Sequence, residues 1–345
     1  MSAVKKKKKS RAGLIILVIT ACVLVFAGAK VLGPNTGTFK QGEFLYIHTG
    51  SNYDQLKTAL QDGGFISDIS SFDILAGWVK LPAHIHPGKY HIKDGMSNFE
   101  IIRLLRSGRQ TQVTLVINKL RTKKDFVTLL STNLEADSNA LQQLMSDKDY
   151  LSHYGLDTNT VMAAVMQDTY FFHWNTSADK AFKKIAENYT HFWNATHKDE
   201  AHNEGFTPAQ VVTIASIVDE ETNLNDDKPK IASVYINRLR KGMKLQADPT
   251  VKFAVGDFTI RRIAGDMLQN ASPYNTYRYE GLPPGPICTP STSSIEAVLK
   301  APKTTYLYFC AKEDFSGYSN FASTYDEQLK NAHAYQQALN AKGIH

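Results

Sequence analysis

The sequence predicts an α+β protein: an N-terminal membrane helix, a small α/β module and a larger mixed α/β domain. Three observations predict it. Residues 12–29 run 18 positions without a charge, close to the ~20 a helix needs to cross the hydrocarbon core. Residues 44–108 alternate strand-like and helical stretches punctuated by glycine. From residue 129 onward helix signals dominate, until a long stretch rich in proline, glycine and aromatics at 244–290. The 345 residues give room for about two domains at ~150 residues each.

The apolar run follows Lys5, Lys6, Lys7, Lys8, Lys9 and Arg11. Those six cations account for the whole net charge of +6, so the rest of the chain is neutral and has no basic surplus for nucleic acid. By the positive-inside rule the cluster stays cytoplasmic, and the chain after Pro34 is translocated. Lys30 snorkels to the interface, which extends the span to Gly33. A cleaved signal peptide is the rival reading, with Ala27-Gly28-Ala29 as its small-x-small site. Either way the bulk of the chain lies where ATP and NAD are not available, so no nucleotide cofactor is expected. The expected organisation is a basic tail at 1–11, a transmembrane helix at 12–33, the small module at 34–117 and the larger domain at 118–345.

In the module, Phe44-Leu45-Tyr46-Ile47 reads as a strand, 52–60 as a helix stopped by Gly63-Gly64, and Gly88 to Ile92 as a second strand. Ser97-Asn98-Phe99-Glu100 is a capping box, in which the Ser oxygen and the Glu carboxylate each satisfy a free backbone N–H. The helix it opens is expected to carry Phe99, Ile102 and Leu105 on one face and to stop at Gly108. No cluster of catalytic residue types occurs here, so binding or spacing is the module's expected role.

In the larger domain, 113–117 reads as a strand and 129–193 as mostly helical. Thr207-Pro208 opens a further helix, with Thr at the cap and Pro at the first position. Another helix runs over 228–241 to Gly242, 305–311 is a strand, and 325–341 a terminal helix. Residues 244–290 read as a long irregular segment, and so long a loop inside a compact domain is usually functional. Three cysteines exclude a disulfide-dense scaffold. Cys288 and Cys310 remain open between a pair and two free thiols.

The usual catalytic signatures are absent: no His-Glu-x-x-His, no Walker A loop, no Gly-x-Ser-x-Gly elbow. Ser177-Ala178-Asp179-Lys180 has the form Ser-x-x-Lys, but no Lys-Thr-Gly follows it. The informative segment ends one helix. At ~100° per residue, Val211, Ile214, Ala215, Ile217 and Val218 share a face. Continuing the wheel puts Glu220 nearly opposite that face, Asp219 at its edge and Glu221 inside it. A carboxylate on a buried face costs several kcal/mol if ionised without a partner, so the protonated form is favoured. A protonated carboxyl is what a general acid needs. The ordinary alternative is a helix-end Glu paired with Arg238 or Arg240. Asp248, beside Gln246 and Thr250, is a candidate second carboxylate, or a turn residue before Pro249. Tyr274, Asn275 and Tyr277 offer hydrogen bonds and a stacking face for a sugar, or are ordinary packing groups. Pro283-Pro284-Gly285-Pro286 is stiff enough for the wall of a cleft.

Taken together, these blocks resemble a known family. Ala215-Ser216-Ile217-Val218-Asp219-Glu220-Glu221-Thr222 is similar to the Ala-Ser-Ile-Ile/Val-Glu-x-Glu segment of the MltG (YceG-like) endolytic murein transglycosylases. Val234-Tyr235-Ile236-Asn237-Arg238-Leu239 through Gly242-Met243 to Leu245-Gln246-Ala247-Asp248-Pro249-Thr250-Val251 resembles a second block of that family. Ser272-Pro273-Tyr274-Asn275-Thr276-Tyr277, followed by Gly281-Leu282-Pro283-Pro284-Gly285-Pro286, resembles a third. Residues 88–108 resemble its small LysM-like module. The chain departs from the pattern at Ser319 before Phe321, at Gln328 after Glu327, at Gln167 before Asp168-Thr169-Tyr170, and at Asp219, the first acid of the pair.

The resemblance implies a LysM-like module followed by a YceG-like catalytic domain that cuts peptidoglycan glycan strands internally. It places the catalytic acid at Glu221, substrate contacts at Gln246, Asp248, Thr250, Tyr274, Asn275 and Tyr277, and supporting roles at Asp219, Asn237 and Arg238. The expected chemistry needs no metal and no cofactor. Expected partners are glycan strands, the cytoplasmic membrane and peptidoglycan synthases, with no nucleic acid and no nucleotide. The expected location is the bacterial cytoplasmic membrane, single-pass, with the N-terminus inside. Two rival readings are a non-catalytic glycan-binding scaffold and a hydrolase that uses Asp248 to activate water.

Overall fold

The computed structural model describes residues 11–40 and 42–343, so the lysine cluster lies outside the described residues. The fold is mixed α/β. Among the described residues the strands form three two-stranded sheets rather than one continuous one. The chain divides into a first unit up to Val113, joined by Phe171–Thr176, and a second made of Thr114–Tyr170 and the chain from Ser177 on.

In the first unit, α1 (Arg11–Leu32) contains a 20-residue span, Gly13–Leu32, long and apolar enough to cross a membrane; none of that span is buried within the protein. β1 (Phe44–Ile47), α2 (Tyr53–Asp62), α3 (Ile69–Trp78), β2 (Gly88–His91) and α4 (Asn98–Ser107) follow. β1 and β2 pair antiparallel, Phe44 opposite His91 and Ile47 opposite Gly88. Strand alternation points Leu45, Ile47 and Tyr90 inward onto Leu56, Leu60, Phe72, Ile101 and Leu105. Asn52 and Gln55 form the capping box of α2, and Ser97 and Glu100 that of α4. Gly108, at φ +64°, ends α4 in a left-handed conformation that glycine adopts without strain.

The structure departs from the sequence reading of this unit at two places. Helix α3 lies in a stretch to which the sequence reading assigns no element. It exists because Asp68 caps it and Phe72, Leu75 and Ala76 bury its face. Phe99 is not on the buried face of α4. That face is Asn98, Ile101, Ile102 and Leu105, spaced i, i+3, i+4, i+7, which leaves Phe99 42% exposed under the Arg103 guanidinium. Buried polar groups tie the end of α1 to the unit. Asn98 donates to the Lys30 carbonyl at 3.0 Å, and the Lys30 ammonium meets Asp68 at 2.7 Å.

The second unit begins in β3 (Gln112–Ile117) and continues through α5 (Lys123–Asn133), α6 (Ser138–Leu144) and α7 (Lys148–Ser152). β4 (Asp168–His173), α8 (Ala178–Phe192) and α9 (Ala195–Glu204) follow. Strand β4 interrupts a region expected to be mostly helical. Its end belongs to the first unit, where Trp174 packs edge-on against Tyr46 and His48 at 4.9 and 5.0 Å. Then come α10 (Pro208–Glu221), α11 (Lys228–Arg240), α12 (Asp248–Val255), α13 (Thr292–Leu299), β5 (Tyr308–Ala311), β6 (Ser319–Ala322) and α14 (Tyr325–Ala341). β5 and β6 form an antiparallel hairpin, Tyr308 opposite Ala322, with α14 packed on it.

Helix α10 is the axis of this unit. Thr207 and Gln210 cap it and Pro208 starts it. Every residue from Val211 to Asp219 is buried, not just one stripe. Its small polar residues do not oppose this, because Thr213 and Ser216 return their hydroxyls to the Ala209 and Thr213 carbonyls at 2.8 and 2.7 Å. The segment expected to be irregular holds α12, with Pro249 in its first turn and Gly256 at φ +79° closing it. All three cysteines are free.

Candidate active site

Glu221 is the last residue of α10, and Thr222 ends the helix in extended conformation. The side chain therefore leaves a buried helix where the backbone turns away. It opens onto a cavity of about 220 Å³ in the second unit, which Gln246, Asp248 and Tyr277 also line. Tyr235 of α11, itself buried, donates its hydroxyl to Glu221 Oε1 at 2.7 Å. Phe309 of β5 fixes the Tyr235 ring edge-on at 6.0 Å between centroids.

Burial pushes the Glu221 carboxyl up to about 7. The Tyr235 hydrogen bond opposes that rise, the Asp248 charge adds to it, Lys252 opposes it and Glu220 adds to it. A carboxyl that keeps its proton near neutrality and faces a cavity can act as a general acid. Arg238 and Arg240 do not pair with it. The Arg238 guanidinium donates to the Leu307 and Leu245 carbonyls, both at 2.7 Å, and lies over the Tyr308 ring. Arg240 pairs with Glu204 at 2.8 Å.

Across the cavity, Tyr277 donates to Asp248 Oδ1 at 2.6 Å. Burial and that carboxylate push the Tyr277 phenol well up, so it stays a donor. Gln246 sits between buried Leu245 and Ala247 at φ +50°, a left-handed conformation that strains a non-glycine residue. Its backbone N–H is fixed on the Thr276 carbonyl at 3.1 Å, which leaves the side chain at the cavity rim.

Asp219, two residues before Glu221, has a different fate. It is 6% exposed and accepts from the Ser291 and Ser294 hydroxyls at 2.6 and 2.5 Å. Lys119 and Lys228 bring ammonium groups to 2.9 and 3.3 Å. Burial by itself would raise this carboxyl, but those hydroxyls and the Lys119 charge hold it well below the usual carboxylate range. Glu220 faces outward to Arg121 and Lys119 at 3.1 and 3.3 Å.

Among the residues expected at the site, the structure gathers Glu221, Gln246, Asp248, Tyr277 and Arg238 around one cavity. Asp219 buttresses α10 from behind. Asn237 donates to the Thr304 and Tyr306 carbonyls, both at 3.0 Å, and so ties the chain leading into β5 to α11. Thr250, Tyr274 and Asn275 are not among the cavity's lining residues. The Thr250 hydroxyl is buried between the Ala247 carbonyl and Thr276. Asn275 is buried and spends its amide on the Leu268 and Asn270 carbonyls, both at 2.9 Å, while accepting from the Tyr277 N–H. Tyr274 packs on Phe253. These residues shape the loop that presents Tyr277. Pro283 and Pro284 line a different cleft, of about 680 Å³, with Asp157 and Gln210.

Tyr235, Tyr308, Phe309 and Gln328 were not anticipated at the cavity. Tyr235 carried a legible signal: it shares the buried face of α11 with Ile231, Val234 and Arg238, and a buried tyrosine hydroxyl needs a partner. Tyr308 and Phe309 come from a distant strand and carried none, while Gln328 stood out only as a departure from the family pattern. Among the described residues no group of three or more His, Cys, Asp or Glu is placed to hold a metal ion.

The YceG-like family matches residues 45–334, which takes in residues of both units. The chain belongs to the YceG-like family. An endolytic murein transglycosylase of Bacillus subtilis is 30% identical over 336 residues, covering 91% of each chain. One from Streptococcus pneumoniae is 24% identical over 300 residues, covering 77% of this chain and 53% of the relative. The 2.6 Å crystal structure of a YceG-like protein from Listeria monocytogenes superposes with a TM-score of 0.55 at 28% identity, over 83% of this chain and 97% of that one.

Proposed function

We propose that this YceG-like chain is an endolytic lytic transglycosylase of peptidoglycan, with Glu221 as its single acid–base residue. It cuts the β-1,4 bond from N-acetylmuramic acid to N-acetylglucosamine within a strand. The observation that carries this reading is one carboxyl, protonated near neutrality, facing a cavity in which the second carboxylate, Asp248, is already engaged by Tyr277. Glu221 gives its proton to the glycosidic oxygen as the C1–O bond breaks. The remaining carboxylate then takes the proton of the sugar's own C6 hydroxyl as that oxygen attacks C1. The product is a 1,6-anhydro end, no water is consumed, and the intramolecular nucleophile removes the need for a second base. Gln246, Asp248 and Tyr277 border the space where positive charge develops at C1.

The same reading makes α1 a single-pass anchor in the cytoplasmic membrane, N-terminus inside, and residues 34–117 a LysM-like module that holds glycan. Residues 118–345 form the catalytic domain. An anchored endolytic enzyme is suited to terminate nascent strands beside peptidoglycan synthases.

Purified glycan strands digested with the full-length protein and weighed by mass spectrometry test it. Anhydro-ended fragments are expected, and Glu221→Gln should give none while melting as a folded protein. Fragments heavier by one water, about 18 Da, would make the enzyme a hydrolase instead. No cleavage by the unmodified protein would leave a glycan-binding scaffold.

A further inference from the structure

The two oxygens of the Glu221 carboxyl are not equivalent. Oε1 accepts from Tyr235, a tyrosine 2% exposed on a neighbouring helix, while the side chain also borders the cavity. We infer that Tyr235 is a positioning residue: by occupying Oε1 it makes Oε2 the oxygen that carries the acidic proton to the substrate, and it steadies the carboxylate left behind. The inference rests on the reading of Glu221 as the acid.

The chemistry follows from what each group can donate. Burial and the adjacent carboxyl push the Tyr235 phenol well above its ordinary value, so it keeps its proton and remains a donor throughout the cycle. In a protonated carboxyl the carbonyl oxygen is the better acceptor, which puts that oxygen at Oε1 and the O–H at Oε2. The bond to Oε1 is a modest one while Glu221 is neutral. It becomes charge-assisted once the proton has left. Its gain is therefore realised as the glycosidic bond breaks, which lowers the barrier rather than tightening substrate binding. When the carboxylate recovers its proton from the C6 hydroxyl, Oε2 is again the free oxygen, so a single orientation serves both steps.

The charged and titratable groups around Glu221 and its cavity are Glu220 on its own helix, Tyr235 and Arg238 on α11, Asp248 and Lys252 on α12, Tyr277 from the loop beyond and Tyr308 on β5. Of these, Tyr235 bonds the carboxyl directly.

The test is Tyr235→Phe in the full-length protein, assayed on glycan strands across pH. Turnover should fall about ten- to hundredfold, the loss of one hydrogen bond to a charged group, with KM near the unmodified value. The alkaline limb of kcat/KM, set by Glu221 at about 7 in the unmodified protein, should move upward because the bond that favours ionisation is gone. If Tyr235→Phe does not melt as a folded protein, fluorotyrosine at position 235 keeps the shape and strengthens the donor, and the limb should then move downward. An alkaline limb that stays put in the folded variant, or a loss confined to KM, overturns the role of Tyr235. Turnover by Glu221→Gln itself would instead overturn the acid assignment beneath it.

Discussion

Asp219 and Glu221 leave the same last turn of one helix, two residues apart, into opposite surroundings. On the Asp219 side two serine hydroxyls and two lysine ammonium groups converge, and the carboxyl is held ionised. On the Glu221 side a phenol and a cavity await it, and the carboxyl keeps its proton. The same functional group thus becomes a structural fastener in one place and a candidate acid in the other. Chemical type fixes neither outcome; the number of cations and donors within reach does.

The comparison can be broken at either acid. The largest effect on stability is expected from Asp219→Ala, which strands buried Lys228 without a counter-charge and should cost about 3–5 kcal/mol of unfolding free energy at pH 7. A denaturant midpoint unchanged from the unmodified protein would mean that Asp219 fastens nothing. Glu221 should act in the opposite sense. Its folded-state proton is held to about 7 against an ordinary 4.5, so the folded protein loses stability as pH rises through that window. Glu221→Gln should match the unmodified protein near pH 4 and exceed it by about 3 kcal/mol at pH 8 to 9. Equal stability at both pH values would show that the carboxyl is not desolvated. Asp219, held low, contributes stability above pH 4 that is lost on acidification, so the two residues bend the pH–stability curve in opposite directions.

The smallest effect sharpens the contrast between fold and site. Gln246→Gly should relieve left-handed strain of about 1–2 kcal/mol less the entropy of an added glycine, a net gain of about 0.5–1 kcal/mol. It should also raise KM about two- to tenfold through the lost side-chain amide. Melting temperature and KM that both stay put would remove Gln246 from the site.

Much of the architecture was legible because it rests on local rules. The caps at Ser97 and Thr207, the stop at Gly108 and the terminal helix depend on contacts within a few residues. What local rules missed was decided by packing. Helix α3 forms from weak helix formers because its apolar face is covered. Strand β4 sits among helices, and its far end is held by aromatics of the first unit. At the site, Glu221 could be singled out because a helical wheel carries its position directly. Thr250 and Asn275 could not be separated from Gln246 and Asp248, since whether a polar side chain faces inward or outward in a loop depends on non-local partners.

By itself, the sequence determined the apolar span, the buried helix that ends in three acids, and the order of the blocks that mark the family. All of these are properties of periodicity and residue type. The tertiary structure alone decided which tyrosine would bond that acid, which cations would hold Asp219 ionised instead, and which loop residues would face the cavity. Those outcomes turn on distances of a few ångströms between segments tens of residues apart, and a hydrogen bond or a desolvation energy exists only once those segments have been brought together.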